Sequence, residues 1–284
     1  MRNKEDLHNL DAYEIDAIVL LAVRMPANVV KDDSYDDLAE YYQENVIATC
    51  DILEYCRKRK INRLVTFGSR FDTRLYPQGT VITEETPLNF SYTDDHVGYV
   101  LTNLSKQQVM HYYNEKYGMK NVILRIPSIF GVGPHGTFSK DGVVRKSGLQ
   151  IFIDKAQAGE DIEVYGDSNT KKDLLYVKDL ALAVRLVLES ETAKDLYNVG
   201  YADNFRLEEI AKGIVEVYSP EGHKSKVTLR PDIPNNGGFP VMDCSKLIKE
   251  TGYEPRYSNI VDMMRDYKQV YDEGVITKLF NLQS

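Results

Sequence analysis

The sequence predicts an α/β fold: a parallel sheet covered by helices, followed by a smaller lobe. Three observations carry this reading. Short, nearly continuous apolar runs alternate with long amphipathic ones through the first half of the 284 residues. Each apolar run is too short for a helix and too uniformly apolar for a strand with one wet face. Beyond about residue 140 the elements shorten, and Gly, Pro and Asn punctuate them.

The elements follow in order. Ile15-Asp-Ala-Ile-Val-Leu-Leu-Ala22 suits a strand buried on both faces. Residues 35–59 place Leu38, Tyr42, Val46, Thr49, Leu53 and Cys56 at helical spacing. Arg63-Leu-Val-Thr-Phe67 is the next strand and runs into Gly68-Ser69. Residues 97–117 form a second long helix closed by Gly118, and Asn121-Val-Ile-Leu-Arg125 a third strand. Repeated β-α-β order with right-handed crossovers implies the parallel sheet. In the second half, helices are expected at 149–158, 180–189, 207–217, 245–251 and 259–271, and strands at 162–165, 196–199 and 226–229. A Gly, Pro and Asn cluster at 231–240 marks a loop over the surface or over a ligand. The chain divides into residues 1–140 and 141–284, with a soft boundary because the second half interleaves with the first.

Composition excludes several classes. With 43% hydrophobic and 27% charged residues the chain is an ordinary globular protein. A net charge of −8 argues against a nucleic-acid surface, which needs clustered excess Lys and Arg. The basic run Arg57-Lys58-Arg59-Lys60 ends a helix, where cations complement the dipole. Cys50, Cys56 and Cys244 make no disulfide framework. The first two are six apart, roughly 240° around a helix. No metal site is expected, because the five histidines are scattered without ligand spacing. No apolar run approaches the ~18 residues of a membrane span, and the polar N-terminus is no signal peptide. A reducing cytoplasm is the expected setting.

Gly131-Val-Gly133-Pro-His-Gly136 matches G-x-G-x-x-G and follows a strand. A dinucleotide fingerprint needs its last glycine to open a helix whose N–H groups face the pyrophosphate. Here Thr-Phe-Ser-Lys-Asp-Gly142 follows and reads as loop, and Pro134 lacks an N–H. A strand-to-loop turn beside a pocket is the expected role.

The landmarks together resemble a known family. Asp16-Ala-Ile-Val-Leu-Leu-Ala-Val23 resembles a D-x-V-x-H-L-A-A strand, with Leu20 where histidine is usual. Asn45 and the helix through Cys50-Asp-Ile-Leu-Glu-Tyr-Cys56 resemble N-x-x-x-T-x-x-x-L-E. Val65-Thr-Phe-Gly-Ser69, Ile82-Thr-Glu-Glu-Thr-Pro87 and Leu124-Arg-Ile-Pro-Ser-Ile-Phe-Gly131 resemble the strand ending in Ser-Ser, I-T-E-x-x-P and L-R-x-x-N-V-Y-G-P. Lys172-Asp-Leu-Leu-Tyr-Val-Lys-Asp179 resembles R-D-F-x-Y-V-x-D with lysine for arginine. Tyr197-Asn-Val-Gly200, Arg230-Pro231, Asp243-Cys-Ser-Lys246 and Thr251-Gly-Tyr-Glu-Pro255 complete the series. The chain resembles the extended short-chain dehydrogenases/reductases, the NAD-dependent epimerases and dehydratases of nucleotide sugars.

The resemblance implies a Rossmann-like parallel sheet with a smaller C-terminal substrate-binding lobe, NAD as cofactor and a nucleotide sugar as ligand. It also implies a dimer through the helices at 35–59 and 97–117. Set against that pattern, the sheet is N-terminally incomplete: the glycine loop and the segments around it, roughly 50–60 residues for two βα units, are missing. The strand at 15–22 would then be a bare hydrophobic edge, covered by another chain or exposed in a fragment. In the family a tyrosine four residues before a lysine acts as general acid–base. By position Lys106 matches the lysine and Ser69 the hydroxyl partner, while Thr102 replaces the tyrosine. An aliphatic hydroxyl ionises far less readily than a phenol of pKa about 10. Tyr99 is the weak substitute, roughly 10.5 Å along the helix from Lys106 where a four-residue step gives roughly 6 Å. It reads better as a packing residue. Lys106 reads equally as a solvated helix lysine.

The resemblance further places Ala22, Lys106 and Pro127 at the cofactor and Lys172 and Arg230 at the substrate diphosphate. Asn89 and the 134–138 loop would line the sugar pocket by position. Two functions stay open: a divergent or truncated NAD-dependent nucleotide-sugar epimerase/dehydratase, or a non-catalytic nucleotide-sugar binding or interaction protein of the same fold.

Overall fold

The computed structural model describes residues 4–26, 37–133, 137–140, 143–201, 203–235 and 238–274. An all-parallel, four-stranded sheet runs in the order Ile18–Leu20, Leu64–Ser69, Val122–Ile126, Asp195–Asn198. Asp195–Asn198 comes from beyond residue 140, so the second half of the chain supplies an outer strand of the first half's sheet. The two central strands are almost wholly buried, as their unbroken apolar runs require. Successive side chains point to opposite faces. Leu64 and Ile123 enter one core with Ile52, Leu53, Cys56 and Met110; Val65, Val122 and Leu124 enter another with Ile162, Leu175, Ala183 and Met263.

The first core lies under α1 (Leu38–Tyr42), α2 (Ala48–Arg59) and α3 (Val97–Tyr117). Between α1 and α2 the run continues through a π-helical turn, Gln43–Ile47, which periodicity does not foresee. Asp37 caps the start by accepting from Ala39 N at 2.9 Å. Gly118 ends α3 in the left-handed region at φ 66°. At Gly98 a Cβ would stand 3.4 Å from the Tyr41 ring, an ordinary contact, so α1 and α3 lie close there. Tyr42 Oη and Ser105 Oγ join them at 3.0 Å, and Tyr113 donates to Glu54 at 2.5 Å. A 3-10 helix, Lys4–Ala12, was not expected from the sequence; its Leu7 closes this core from below α2.

The second core is roofed by α4 (Gly148–Gln157), α5 (Val177–Glu189), α6 (Leu207–Tyr218), α7 (Ser245–Thr251) and α8 (Ile260–Asp272). Two-stranded ladders stitch the halves together: Val81–Ile82 with Val241–Met242, and Ser128–Phe130 with Leu174–Tyr176. Thr137–Lys140 pairs antiparallel with Val143–Lys146, where the sequence suggested loop. Pro134, His135 and Gly136 lie outside the described residues. Among the described residues, Ile18–Leu20 is hydrogen-bonded on one side only, and Val19 and Leu21 are exposed by 36% and 71%. No described helix is long and apolar enough to cross a membrane.

Candidate functional site

Ser69 closes its strand at the carboxyl edge of the sheet, where open α/β folds take ligands. Its Oγ accepts from Phe71 N at 3.3 Å and so caps the short turn Arg70–Thr73. Tyr99, buried on the first turn of α3, has the Ser69 and Asn103 side chains as hydrogen-bonding neighbours. Burial pushes its phenol above the ordinary value, and those bonds only partly offset it. A phenol meant to accept a proton needs the opposite shift.

Thr102 is fully buried. Its hydroxyl donates to Gly98 O at 2.8 Å and Tyr99 O at 3.1 Å, and accepts from Asn45 Nδ2 at 3.0 Å. Asn45 sits on the π-helical turn; its Oδ1 accepts from Arg24 N at 2.7 Å and its Nδ2 donates to Arg24 O at 2.9 Å. Thr102 thus helps tie the segment after the edge strand to two helices. Lys106 is 3% exposed rather than solvated. Its Nζ donates to Phe67 O at 2.8 Å and Thr66 Oγ1 at 3.4 Å. Burial alone draws its ammonium down to about 7. A lysine readily deprotonated near neutrality offers little charge with which to acidify a neighbouring phenol. Ala22 is exposed just past the edge strand, and Pro127 is buried between Val122–Ile126 and Ser128–Phe130.

The two cations expected at the diphosphate are in different states. Arg230 is held by Asp232, Nε to Oδ1 at 3.0 Å and Nη2 to Oδ2 at 2.9 Å, and by Glu163 Oε1 at 2.6 Å. These carboxylates raise its already high pKa. Lys172 lies half-buried with Nζ 5.2 Å from the Phe239 ring centre. Its ammonium is lowered by burial, opposed by Asp173 and reinforced by Arg70.

Arg70 is the residue that motif reading missed. It directly follows Ser69, so the strand's carboxyl end was the available signal. Its Nε lies 2.8 Å from Asp173 Oδ2, its Nη2 donates to Ser128 Oγ at 3.2 Å, and its Cζ sits 3.9 Å over Phe239. Burial lowers Arg70 and raises Asp173 to about 6, although each partner opposes the shift of the other. Strand exit, the 128–130 strand and the 171–173 segment therefore converge on one charged, sheltered cluster. Behind it Arg125 is a structural joint, donating to Asn198 Oδ1 at 2.7 Å and Thr83 O at 2.6 Å beside Asp72 at 3.4 Å. Asn89 N donates to Asp72 O at 2.8 Å, which fixes the loop edge near this joint. Two groups bring ligating atoms together, Asp94, Asp95 and His96, and His111, Glu115 and Asp195. Arg74 pairs with Asp94 at 2.9 Å and Lys194 with Glu115 at 2.9 Å.

Similarity to known proteins follows the same outline. The chain is 24% identical over 262 residues to the UDP-glucose 4-epimerase of Halalkalibacterium halodurans, covering 89% of this chain and 75% of that protein. It is 22% identical over 253 residues to the dTDP-4-dehydro-6-deoxyglucose reductase of Escherichia coli, covering 88% and 74%. Among solved structures, the UDP-glucose 4-epimerase of Thermotoga maritima with UDP-glucose superposes with a TM-score of 0.71 at 17% identity, over 96% of this chain and 83% of that one. The Thermus thermophilus UDP-glucose 4-epimerase complexed with NAD gives 0.67 at 21%, over 94% and 82%. The fold is theirs. With residues 1–200 matching the family model, the chain belongs to the NAD dependent epimerase/dehydratase family.

Proposed function

We propose that this chain binds a nucleotide sugar and does not itself carry out the NAD-coupled hydride transfer of its family. The observation that carries the reading is the state of Thr102: its hydroxyl is engaged by two carbonyls and an amide inside the helix packing. Lys106 supports it, because its ammonium is turned onto Phe67 O and Thr66 Oγ1 and is nearly shut off from solvent. This arrangement does not fit a nicotinamide ribose seat, which needs an accessible lysine. Lys172 and the cluster around it support an anionic ligand at the sheet's carboxyl edge, with nucleotide sugars bound by structural neighbours.

A second reading, a divergent enzyme, is favoured by one contact: Tyr99 places a phenol beside Ser69. Calorimetric titration with UDP-glucose and, separately, NAD distinguishes the two, followed by an assay for conversion of UDP-glucose in the presence of NAD. Binding of UDP-glucose without conversion is expected. Conversion that disappears in Tyr99→Phe would establish the second reading, and failure of UDP-glucose to bind would remove the first. Homo-oligomerisation belongs to the same proposal, through the α1–α3 face or the Ile18–Leu20 edge. Exposed Ile47, Tyr112 and Leu21 support it, and sedimentation measures it.

A further inference from the structure

We propose that Arg70, working with Lys172 across the Phe239 ring, forms an anion-binding cradle at the carboxyl edge of the sheet in place of Arg230. The inference rests on the nucleotide-sugar reading above and assigns the recognition step to a residue outside the motifs of the chain. The two cations share one aromatic ring, with Arg70 Cζ at 3.9 Å and Lys172 Nζ at 5.2 Å from its centre. Arg70 disfavours the charge on Lys172. Asp173 acts on both, and burial raises its own carboxyl toward the neutral form. Like charges held together in a sheltered place are stabilised by an incoming anion. A guanidinium presents two parallel N–H groups to phosphate or carboxylate oxygens.

Placement agrees with charge. Arg70 is 14% exposed, follows Ser69 at the sheet's carboxyl edge, and touches Ser128 from the next strand exit. Arg230 contrasts on each point: it stands 37% exposed, on another ladder, with two carboxylates already on its guanidinium. An anion arriving at Arg230 must displace both carboxylates and meets their repulsion. At Arg70 it competes with one.

The anion has two possible sources in a nucleotide sugar, the diphosphate or a carboxylate on the sugar, and the test separates them. Wild type, Arg70→Gln and Arg230→Gln are titrated calorimetrically with UDP-glucose and with UDP-glucuronate. R70Q is expected to weaken binding of at least one ligand by about tenfold or more, and R230Q by less than about twofold. Equal loss on both ligands assigns the diphosphate; loss confined to UDP-glucuronate assigns the sugar carboxylate. R70Q binding both ligands like wild type, or R230Q losing more than R70Q, overturns the cradle while leaving the nucleotide-sugar reading intact. Wild type binding neither ligand overturns both. Because R70Q could also disturb folding, Asp173→Asn supplies the opposite signal. It removes the competing carboxylate at constant shape and is expected to tighten binding, which misfolding cannot imitate. Unchanged or weaker binding in D173N counts against the cradle.

Discussion

Two polar clusters, one around Thr102 and one around Arg70, show how differently the same fold uses buried polar groups. Around Thr102 the Asn45 amide and the Arg24 backbone match one another's donors and acceptors through neutral or backbone contacts, and the Arg24 guanidinium pairs with Glu44 at 3.3 Å. At Arg70, Asp173 and Lys172 whole charges meet in a poorly solvated corner, with two cations acting on one carboxylate. The first arrangement is what a structural joint needs, since a satisfied buried network fixes one geometry. The second is what a ligand site needs, since its residual charge is best compensated by something that arrives. Position in the family pattern points to Thr102 as the chemistry, and physical state points to Arg70.

The comparison breaks most sharply at Asn45. Asn45→Leu removes the amide's bonds to Arg24 N, Arg24 O and Thr102 Oγ1 at once, and should cost roughly 3 kcal/mol of stability in a urea titration at unchanged m-value. Thr102→Val, which keeps the shape and loses the hydroxyl, should cost about 1 to 2 kcal/mol. A cost below about 1 kcal/mol for Asn45→Leu would mean that this cluster does not hold the segment after the edge strand.

Lys106 gives the next largest effect, and its sign is fixed by linkage. The folded-state value is drawn down to about 7, against roughly 10.4 in the unfolded chain. Between these values the unfolded chain binds more protons, so stability rises with pH. The slope should approach about 1.4 kcal/mol per pH unit across the interval where Lys106 alone differs. The usable window is about pH 7 to 8, because from about pH 8 upward Cys50, Cys56 and Cys244, whose thiols burial raises, ionise first in the unfolded chain and oppose the rise. Urea titrations across that window should show the rise in wild type and lose it in Lys106→Met. A wild-type profile as flat as that of the variant would show that the ammonium is hydrated after all.

How far the sequence reaches is visible in these same residues. The central strands and α3 were legible because burial on both sheet faces leaves continuous apolar runs, and a 3.6 period ending in glycine marks α3. The 3-10 helix Lys4–Ala12 was not, because its single apolar anchor, Leu7, has meaning only against Ile52 and Cys56. The π-helical turn at Asn45 escaped for a related reason: its purpose, to point an amide at Arg24 and Thr102, is tertiary. Order along the chain named Ser69, Thr102, Lys106 and Lys172 as candidates. It could not report that Lys106 faces a carbonyl, or that Arg230 is clamped by acids from Glu163 and Asp232. Arg70 carried no motif, and its significance appears only when Asp173, Ser128 and Phe239 converge on it.

A smaller effect sharpens the charged side of the comparison. Asp173 is raised to about 6, so as pH falls through that value it takes up a proton and loosens its hold on Arg70 and Lys172. The ester-linked diphosphate of UDP-glucose does not titrate there, so affinity should rise between pH 7.5 and 5.5, by about threefold to tenfold. The groups facing Asp173 are Arg70, Lys172 and the Ser128 hydroxyl. In Asp173→Asn the affinity should be flat with pH; a rise that persists in the variant would show that Asp173 is not its source.

Arg230 should give the smallest effect of all, and that is its value as a control. Its guanidinium makes three ion-pair contacts, two to Asp232 and one to Glu163. Yet the three side chains are 37%, 62% and 35% exposed. Water and salt screen such pairs, and holding three flexible side chains in register offsets much of what remains. Arg230→Ala should therefore shift the melting temperature by less than about 2 °C. It should also leave UDP-glucose affinity within about twofold, because the guanidinium is already neutralised where a phosphate would have to arrive. A loss of affinity comparable to that of Arg70→Gln would mean that the clamp opens for the ligand, and would move the diphosphate from the Phe239 corner to the ladder that carries Arg230.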